Sequence, residues 1–332
     1  MSIDRYPWLL NFKNKYDDKN FPSAIIIEGE FGLAKNKLAK YLAQKLLCTE
    51  DLSPCGECNS CNYFLAETHP DYCFLDRDTC SSILYSFKPK NSNSKDIVSN
   101  KIDGIRALNG FLDLTNSTSK KRISILFNAH LMNQQSQNGL LKTLEELPQN
   151  KHIILVSNRR RHFLPTIYSR SNLISINNPD SESINRWITD QGYIDFSTLN
   201  FEPDLAPLAI EKLINNDQAN QYERITKKIN SFCVGEITSP DLQKFLKELN
   251  ISFEDKINSI ILYLKTCIGI NNKFYKSHPF ITSISYSKLN NKLLSDLIEE
   301  LIDYKVSLNQ VSTLNEQIGL GYFFNKIREL FR

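Results

Sequence analysis

The sequence predicts an α/β domain built on a parallel sheet, followed by a small helical domain and a helical C-terminal domain. Three observations carry this. Ile123–Phe127 and Ile153–Val156 are short apolar runs with the length and β-branched content of strands buried on both faces. Between them, Ser136–Leu147 has helical spacing with Leu140, Leu141 and Leu144 on one face, so strand, helix and strand form a crossover unit. Beyond Asn177-Asn178-Pro179 the strand-like runs give way to helical stripes.

A chain of 332 residues has room for two or three domains. A formal charge of +3 is too small to argue nucleic-acid binding by itself. The opening MSIDRYPWLL has no basic stretch leading into an apolar one, so no signal peptide is expected, and no run is long enough to span a membrane. Four cysteines fall between Cys48 and Cys61. Without an export signal a reducing cytoplasm is the expected setting, where clustered cysteines favour metal over disulfides.

Taken in order, Tyr6 to Asp17 is amphipathic and predicts a helix that packs Trp8, Leu9 and Phe12. Ala24–Ile27 predicts a buried strand running into Gly29–Asn36 and a helix from Lys37 to Leu47, the setting of a phosphate-binding loop. Such a loop needs glycines for close backbone approach, a lysine for the β/γ-phosphates and a hydroxyl for Mg²⁺. Gly29, Gly32 and Lys35 are present, but Ala34 replaces the glycine before the lysine and Asn36 replaces the hydroxyl residue. The expectation is a turn that keeps its fold, with no functional ATP site.

Cys55, Cys58 and Cys61 form two overlapping Cys-x-x-Cys knuckles, with Pro54 and Gly56 as turn residues. Zinc takes four tetrahedral N/S ligands, and Cys48 is the nearest fourth, with Cys73 and Cys80 as alternatives. A redox dithiol or plain packed thiols fit the spacing less well. His69-Pro70-Asp71 predicts a turn and cap before a strand at Tyr72–Leu75. Residues 80–100, rich in Ser, Asn and Lys, predict an exposed connection, and a helix follows that covers the sheet with Ile105, Leu108 and Leu112.

The strand Ile123–Phe127 leads into Asn128-Ala129-His130, where ATP hydrolysis would need a metal-organising carboxylate. Glu145 and Glu146, at a helix end, are expected to face solvent or a neighbouring subunit. Arg159-Arg160-Arg161 and Lys120-Lys121-Arg122 predict solvated loops, with contact to DNA phosphates or an acidic partner as the alternative. Pro165–Arg170 breaks the strand pattern and presents an arginine. Further on, Asp180–Ile188 and Leu205–Leu213 predict short helices. Three later stripes predict a bundle core: Ile257, Ile260, Ile261 and Leu264; Leu293, Leu294, Leu297, Leu301 and Ile302; and Tyr322, Phe323, Ile327 and Leu330.

Asn138–Glu146 (NGLLKTLEE) followed by Leu164–Arg170 (LPTIYSR) resembles the bacterial clamp-loader subunits of DNA polymerase III, and specifically their delta-prime type. There a similar helix precedes a Ser-Arg-Cys motif; this chain departs at Gly139, Leu147 and Ser171. Tyr6-Pro7-Trp8, His69-Pro70-Asp71, the Ile102–Leu108 helix and Leu314-Asn315 resemble the same family. The resemblance implies an AAA+ type domain over residues 1–178 with an inserted zinc module at about 48–61, a helical lid over 179–217 and a helical collar over 218–332. The family's four-cysteine module supports Cys48, Cys55, Cys58 and Cys61 as ligands, although its first spacing is usually longer. Ser157 or Asn158 would take the place of its nucleotide-sensing polar residue, and Glu202–Ala209 lacks its sensing arginine.

Altered nucleotide motifs beside an intact Ser-Arg pair imply a non-hydrolysing stator, part of the holoenzyme without intrinsic ATPase. It would act in a five-subunit ring with gamma/tau and delta type subunits, loading the sliding clamp on primed DNA in the cytoplasm. Arg170 would be the arginine finger offered to a neighbour's ATP. Two other classes compete. A gamma/tau-type motor is opposed by Ala34, Asn36 and the missing carboxylates. A zinc-dependent DNA-binding module is opposed by the lack of a basic stripe with interleaved aromatics.

Overall fold

The apolar runs of the first half pair with one another. In the computed structural model, which describes residues 3–16, 20–51, 53–75, 101–201, 204–216, 219–249, 251–271, 289–308 and 316–331, the chain divides into two compact units, Met1–Pro179 and Asp180–Arg332. The expectations for Cys80, for the connection 80–100, for Glu202-Pro203 and for Leu314-Asn315 fall outside the described residues.

The first unit runs α1 (Leu10–Lys13), β1 (Ala24–Glu28), α2 (Lys35–Leu47), α3 (Asn59–Leu65), β2 (Tyr72–Leu75), α4 (Lys101–Asp113), β3 (Arg122–Leu126), α5 (Gln134–Glu145), β4 (Lys151–Ser157), α6 (Pro165–Ser169) and β5 (Asn172–Ser175). Among the described residues the strands form one sheet in the order β2-β3-β4-β1-β5, with every neighbouring pair parallel. Ile25, Ile26 and Ile27 are fully buried in β1, because a parallel sheet covered by helices needs apolar side chains on both faces. On one face Ile26, Ile153, Leu155 and Leu126 pack with Ile105, Leu108 and Leu112 of α4, Leu140 of α5 and Ile167 of α6. α2 contacts β1, β3 and β4 without joining that cluster, so it covers the other face. All strands point the same way, so the loops after β1, β3 and β4 gather at one edge, where open α/β sheets place their sites.

The N-terminal helix is shorter than expected: a 3-10 turn at Pro7–Leu9 and one α turn at Leu10–Lys13. Leu9 is buried, and the Trp8 indole Nε1 donates to Leu33 O at 3.1 Å. β5 is an edge strand that the sequence pattern did not announce. It pairs through Ile25↔Asn172 to Glu28↔Ser175 and buries only Ile174 of its own four residues. Lys120-Lys121-Arg122 is not uniformly solvated, because Arg122 starts β3 and is 2% exposed.

The second unit is helical among its described residues: α7 (Ser181–Asp190), α8 (Pro207–Asn215), α9 (Ala219–Val234), α10 (Ser239–Glu248), α11 (Phe253–Asn271), α12 (Asn291–Leu308) and α13 (Glu316–Leu330). Helix starts follow their capping residues. Asp180 accepts from Ser183 N at 2.8 Å, Pro207 occupies the first turn of α8, and Thr238 with Asp241 forms a capping box for α10. Phe232, Leu242, Ile257, Ile260, Leu264, Leu294, Leu297, Leu301, Phe324 and Ile327 make its core. The predicted stripes were too wide, since Leu293, Ile302 and Tyr322 are exposed. No helix among the described residues is long and apolar enough to cross a membrane.

Candidate functional site

The cysteine cluster sits where α2 ends. Cys48 turns extended after the last helical turn, and its amide still donates to Gln44 O at 3.0 Å. Cys58 caps α3, with its sulfur accepting from Cys61 N at 3.3 Å, while Cys55 Sγ accepts from Cys58 N at 3.3 Å. These turns bring Cys48 Sγ to 3.6 Å from Cys55 and 3.9 Å from Cys58, and Cys55 to 3.9 Å from Cys61. All four sulfurs lie within 4.8 Å of one another. A tetrahedral ion with metal–sulfur bonds of about 2.3 Å sets its sulfurs about 3.8 Å apart, so the donor set fits a four-thiolate metal.

Burial opposes ionising Cys58, yet backbone hydrogen bonds at Thr49 and Cys61 hold its thiol down to about 6. Burial raises Cys48 and Cys61. Four thiolates this close together would need a dication at their centre to coexist. Cys73 lies elsewhere, buried in β2 with its sulfur 3.0 Å from Ser124 Oγ, so of the two described candidates Cys48 completes the set.

His69 braces this module rather than joining it. Its Nδ1 accepts from Asp71 N at 3.0 Å, which leaves Nε2 protonated to meet Ser60 Oγ at 2.8 Å. Ser60 in turn donates to Leu47 O at 2.6 Å, and burial keeps the imidazole below its usual pKa. The expected turn at His69-Pro70-Asp71 is present, closed by Tyr72 N donating to His69 O at 3.2 Å, and it buries His69 and Asp71. Asp71 accepts from the amides of Ser117, Thr118 and Ser119 at 2.7–2.8 Å and from Arg122 Nη2 at 2.8 Å.

The loop after β1 keeps the outline of a phosphate loop, with glycine at Gly29 and Gly32. Gly29 is obligatory, because a Cβ there would stand 2.5 Å from Ile176 O. Ala34 adopts the left-handed region at φ 59°, which a side chain disfavours. Lys35 is buried, and its Nζ donates back to Glu30 O within the loop. Burial lowers its ammonium to about 8, with Glu30 opposing. Across the edge, Asn158 Nδ2 donates to Asn128 Oδ1 at 3.0 Å and Asn158 N to His130 Nδ1 at 3.2 Å. A pair of neutral amides stands where a metal-organising carboxylate would be required.

Arg170 closes α6 as its C-cap residue and is exposed. Its Nη2 lies 2.8 Å from Glu145 Oε1 and its Nη1 donates to Thr166 O at 3.3 Å. Glu145 and Glu146 are both exposed, and Glu145 has Arg170 as a partner within the chain. In the basic run, Arg160 Nη2 donates to Asn177 Oδ1 at 2.7 Å, and Arg159, Arg160 and Arg161 are all exposed.

Sequence reasoning missed Glu28. It extends β1 by one residue, is buried, and its Oε2 accepts from Arg161 N at 3.2 Å and from the Tyr168 hydroxyl at 3.0 Å. The one available signal was an acid directly following an apolar run and preceding Gly29.

The profile of the family described as DNA polymerase III, delta subunit, matches residues 7–180. The chain is 28% identical over 195 residues to DNA polymerase III subunit delta' of Haemophilus influenzae, covering 57% of this chain and 54% of that protein. It is 30% identical over 170 residues to the subunit of that name from Pseudomonas aeruginosa, covering 50% and 47%. In both cases the match spans about half the relative's length. The subunit from Buchnera aphidicola subsp. Schizaphis graminum is 25% identical over 332 residues, covering 95% of this chain and 94% of its own.

Proposed function

The chain belongs to the DNA polymerase III delta-prime family, and from that premise we propose that it is a non-hydrolysing clamp-loader subunit that lends Arg170 to a neighbour's ATP. Its domains are an AAA+ type α/β domain over 1–178, a lid over 179–217 and a collar over 218–332. Its partners are gamma/tau and delta type subunits in a five-subunit ring, acting on the sliding clamp and primed DNA in the cytoplasm. Zinc held by Cys48, Cys55, Cys58 and Cys61 is structural, because four protein ligands leave no position for water.

The observation that carries the proposal is the pairing of an exposed arginine at the end of α6 with a nucleotide loop whose own lysine is turned back on Glu30. A guanidinium placed beside a transferring γ-phosphoryl neutralises the charge that develops there, and such fingers supply roughly 10³–10⁵ in rate in GTPases. Releasing Arg170 from Glu145 is a small obstacle, since an exposed ion pair is worth about 0–1 kcal/mol. Arg170→Ala is expected to leave folding, zinc content and ring assembly intact while lowering DNA-stimulated ATP hydrolysis and clamp loading by the reconstituted complex. Arg170→Lys should restore little, because an ammonium lacks the planar fork. An alanine variant that assembles normally and loads clamps at the wild-type rate would show that Arg170 is only a surface ion-pair partner.

A further inference from the structure

Glu28 ends β1 at 3% exposure, a costly place for a carboxyl group unless donors meet it. Its two donors, Arg161 N and the Tyr168 hydroxyl, both come from the segment between β4 and β5 that carries Arg170. Neither the cysteine cluster nor Lys35 bonds this carboxyl group. Arg161 is held in the left-handed region at φ 51°, a conformation that needs support from its surroundings. Tyr168 packs its ring 5.9 Å from that of Phe163 and points its hydroxyl at Glu28. Burial first, and then the bond to Glu28, raise the phenol above its ordinary pKa, so it stays a donor at neutral pH.

α6 has five residues, too few to hold a helical orientation by its own hydrogen bonds. Its orientation must come from anchors. Leu164 N donates to Gln137 Oε1 at 3.0 Å ahead of the helix, and Ile167 is buried in the core. Tyr168 supplies the polar anchor nearest the arginine. Two residues advance a helix by about 200°, so the phenol and the residue that caps α6 leave it on different sides, and the rotation fixed at Tyr168 is the rotation at which Arg170 emerges.

We propose that Glu28 and Tyr168 are positioning residues for Arg170: the carboxyl group at the end of β1 fixes the phenol, and the phenol sets the rotation of α6 that aims the guanidinium across the ring interface. This rests on the reading of Arg170 as a group acting on a neighbour's nucleotide. The distance over which such a group works is short, so a misplacement of about an ångström is expected to lower turnover severalfold without moving ATP affinity much.

The test uses the full chain in the reconstituted clamp-loader complex, with kcat and KM for ATP measured in the presence of clamp and primed DNA. Tyr168→Phe removes one oxygen and keeps the ring. It is expected to lower kcat about fivefold with KM and ring assembly nearly unchanged, and to add no further loss to Arg170→Ala. Glu28→Gln should give the same pattern, guarding against a folding defect peculiar to either variant. A wild-type rate for Tyr168→Phe beside an impaired Arg170→Ala overturns this inference and leaves the role of Arg170 standing. Losses that multiply in the double variant overturn it too, because the tyrosine would then act independently of the arginine. An Arg170→Ala complex at the wild-type rate overturns the proposed function itself, and this inference with it.

Discussion

The cysteine module and the loop after β1 flank the same helix, α2, and have opposite fates. At the C-terminal end of α2, four sulfurs converge to within 4.8 Å and backbone amides point at them. At its N-terminal end, Lys35 donates to a carbonyl of its own loop and Asn128 bonds Asn158. One site has four donors converging on one point; at the other, the lysine and the asparagine are bonded to groups of the chain itself. The difference teaches that a motif's outline and its donor set are separate properties. Gly29 and Gly32 preserve the outline of a phosphate loop, while chemistry depends on residues 34, 36 and 128, which carry Ala, Asn and Asn.

The largest test of this contrast is removal of one thiol from the cluster. Structural zinc sites contribute on the order of 10 kcal/mol in small peptides, so Cys58→Ser is expected to lower stability by more than about 3 kcal/mol and to abolish binding of one zinc per chain. Cys73→Ser, which alters a buried thiol bonded to Ser124, should keep the metal. Elemental analysis and thermal melts read both. Protein purified without chelators and found free of zinc would erase the contrast, because the cluster would then be four packed thiols.

A second pair inside the sheet repeats the comparison. Asp71 has four donors around it, whereas His152 donates Nδ1 to Pro22 O at 2.9 Å and buries Nε2 with no hydrogen-bond partner among the described residues. The Phe21 ring meets the imidazole edge-on at 5.1 Å. Protonation would place a charge there with no acceptor, and burial accordingly lowers the imidazole to about 4, the Pro22 bond opposing. Since the folded value lies below the unfolded one of about 6.5, the unfolded chain binds the proton first as pH falls. His152 therefore supports full stability above about pH 6.5, and about 3 kcal/mol is lost as pH drops through the window down to about 4. Urea midpoints at pH 7.5 and 5 should show the decline in the parent, and His152→Gln should flatten it. An unchanged slope in that variant would assign the loss to other groups.

What the sequence revealed follows the same division. Strands β1 to β4, the helix at residues 134–145 and the cysteine knuckles were legible because each is a local pattern of apolar or thiol residues. β5 was not, because an edge strand with three of four residues exposed has no apolar run to recognise. Arg122 read as part of a basic surface because its partner Asp71 is 51 residues away in sequence. Glu28 was hidden for the same reason, with Tyr168 140 residues further on. Leu293, Ile302 and Tyr322 fit a helical period yet face outward, since period marks a face and not how much of it a neighbour covers.

The smallest expected effect is also the sharpest test of the loop after β1. Ala34 sits at φ 59° just ahead of α2, where a Cβ costs roughly 1–2 kcal/mol and glycine costs nothing sterically. Part of that gain is offset by the extra freedom glycine has in the unfolded chain, about 0.4–1 kcal/mol. Ala34→Gly is therefore expected to stabilise the chain by about 0.5–1 kcal/mol, a rise of a few degrees at most in the thermal midpoint. It also restores the glycine that a phosphate loop places before its lysine. If the outline alone were enough, the variant would gain ATP binding. The donor set argues otherwise: Lys35 remains on Glu30 O, Asn36 offers a neutral amide in place of a hydroxyl, and Asn128 bonds Asn158. Calorimetry with Mg-ATP should show no binding by either protein, and Lys35→Ala should leave ATP turnover by the complex nearly unchanged. ATP binding that appears in Ala34→Gly and vanishes when Lys35→Ala is added would mean that one Cβ, not the lost hydroxyl and carboxylate, is what closes this loop.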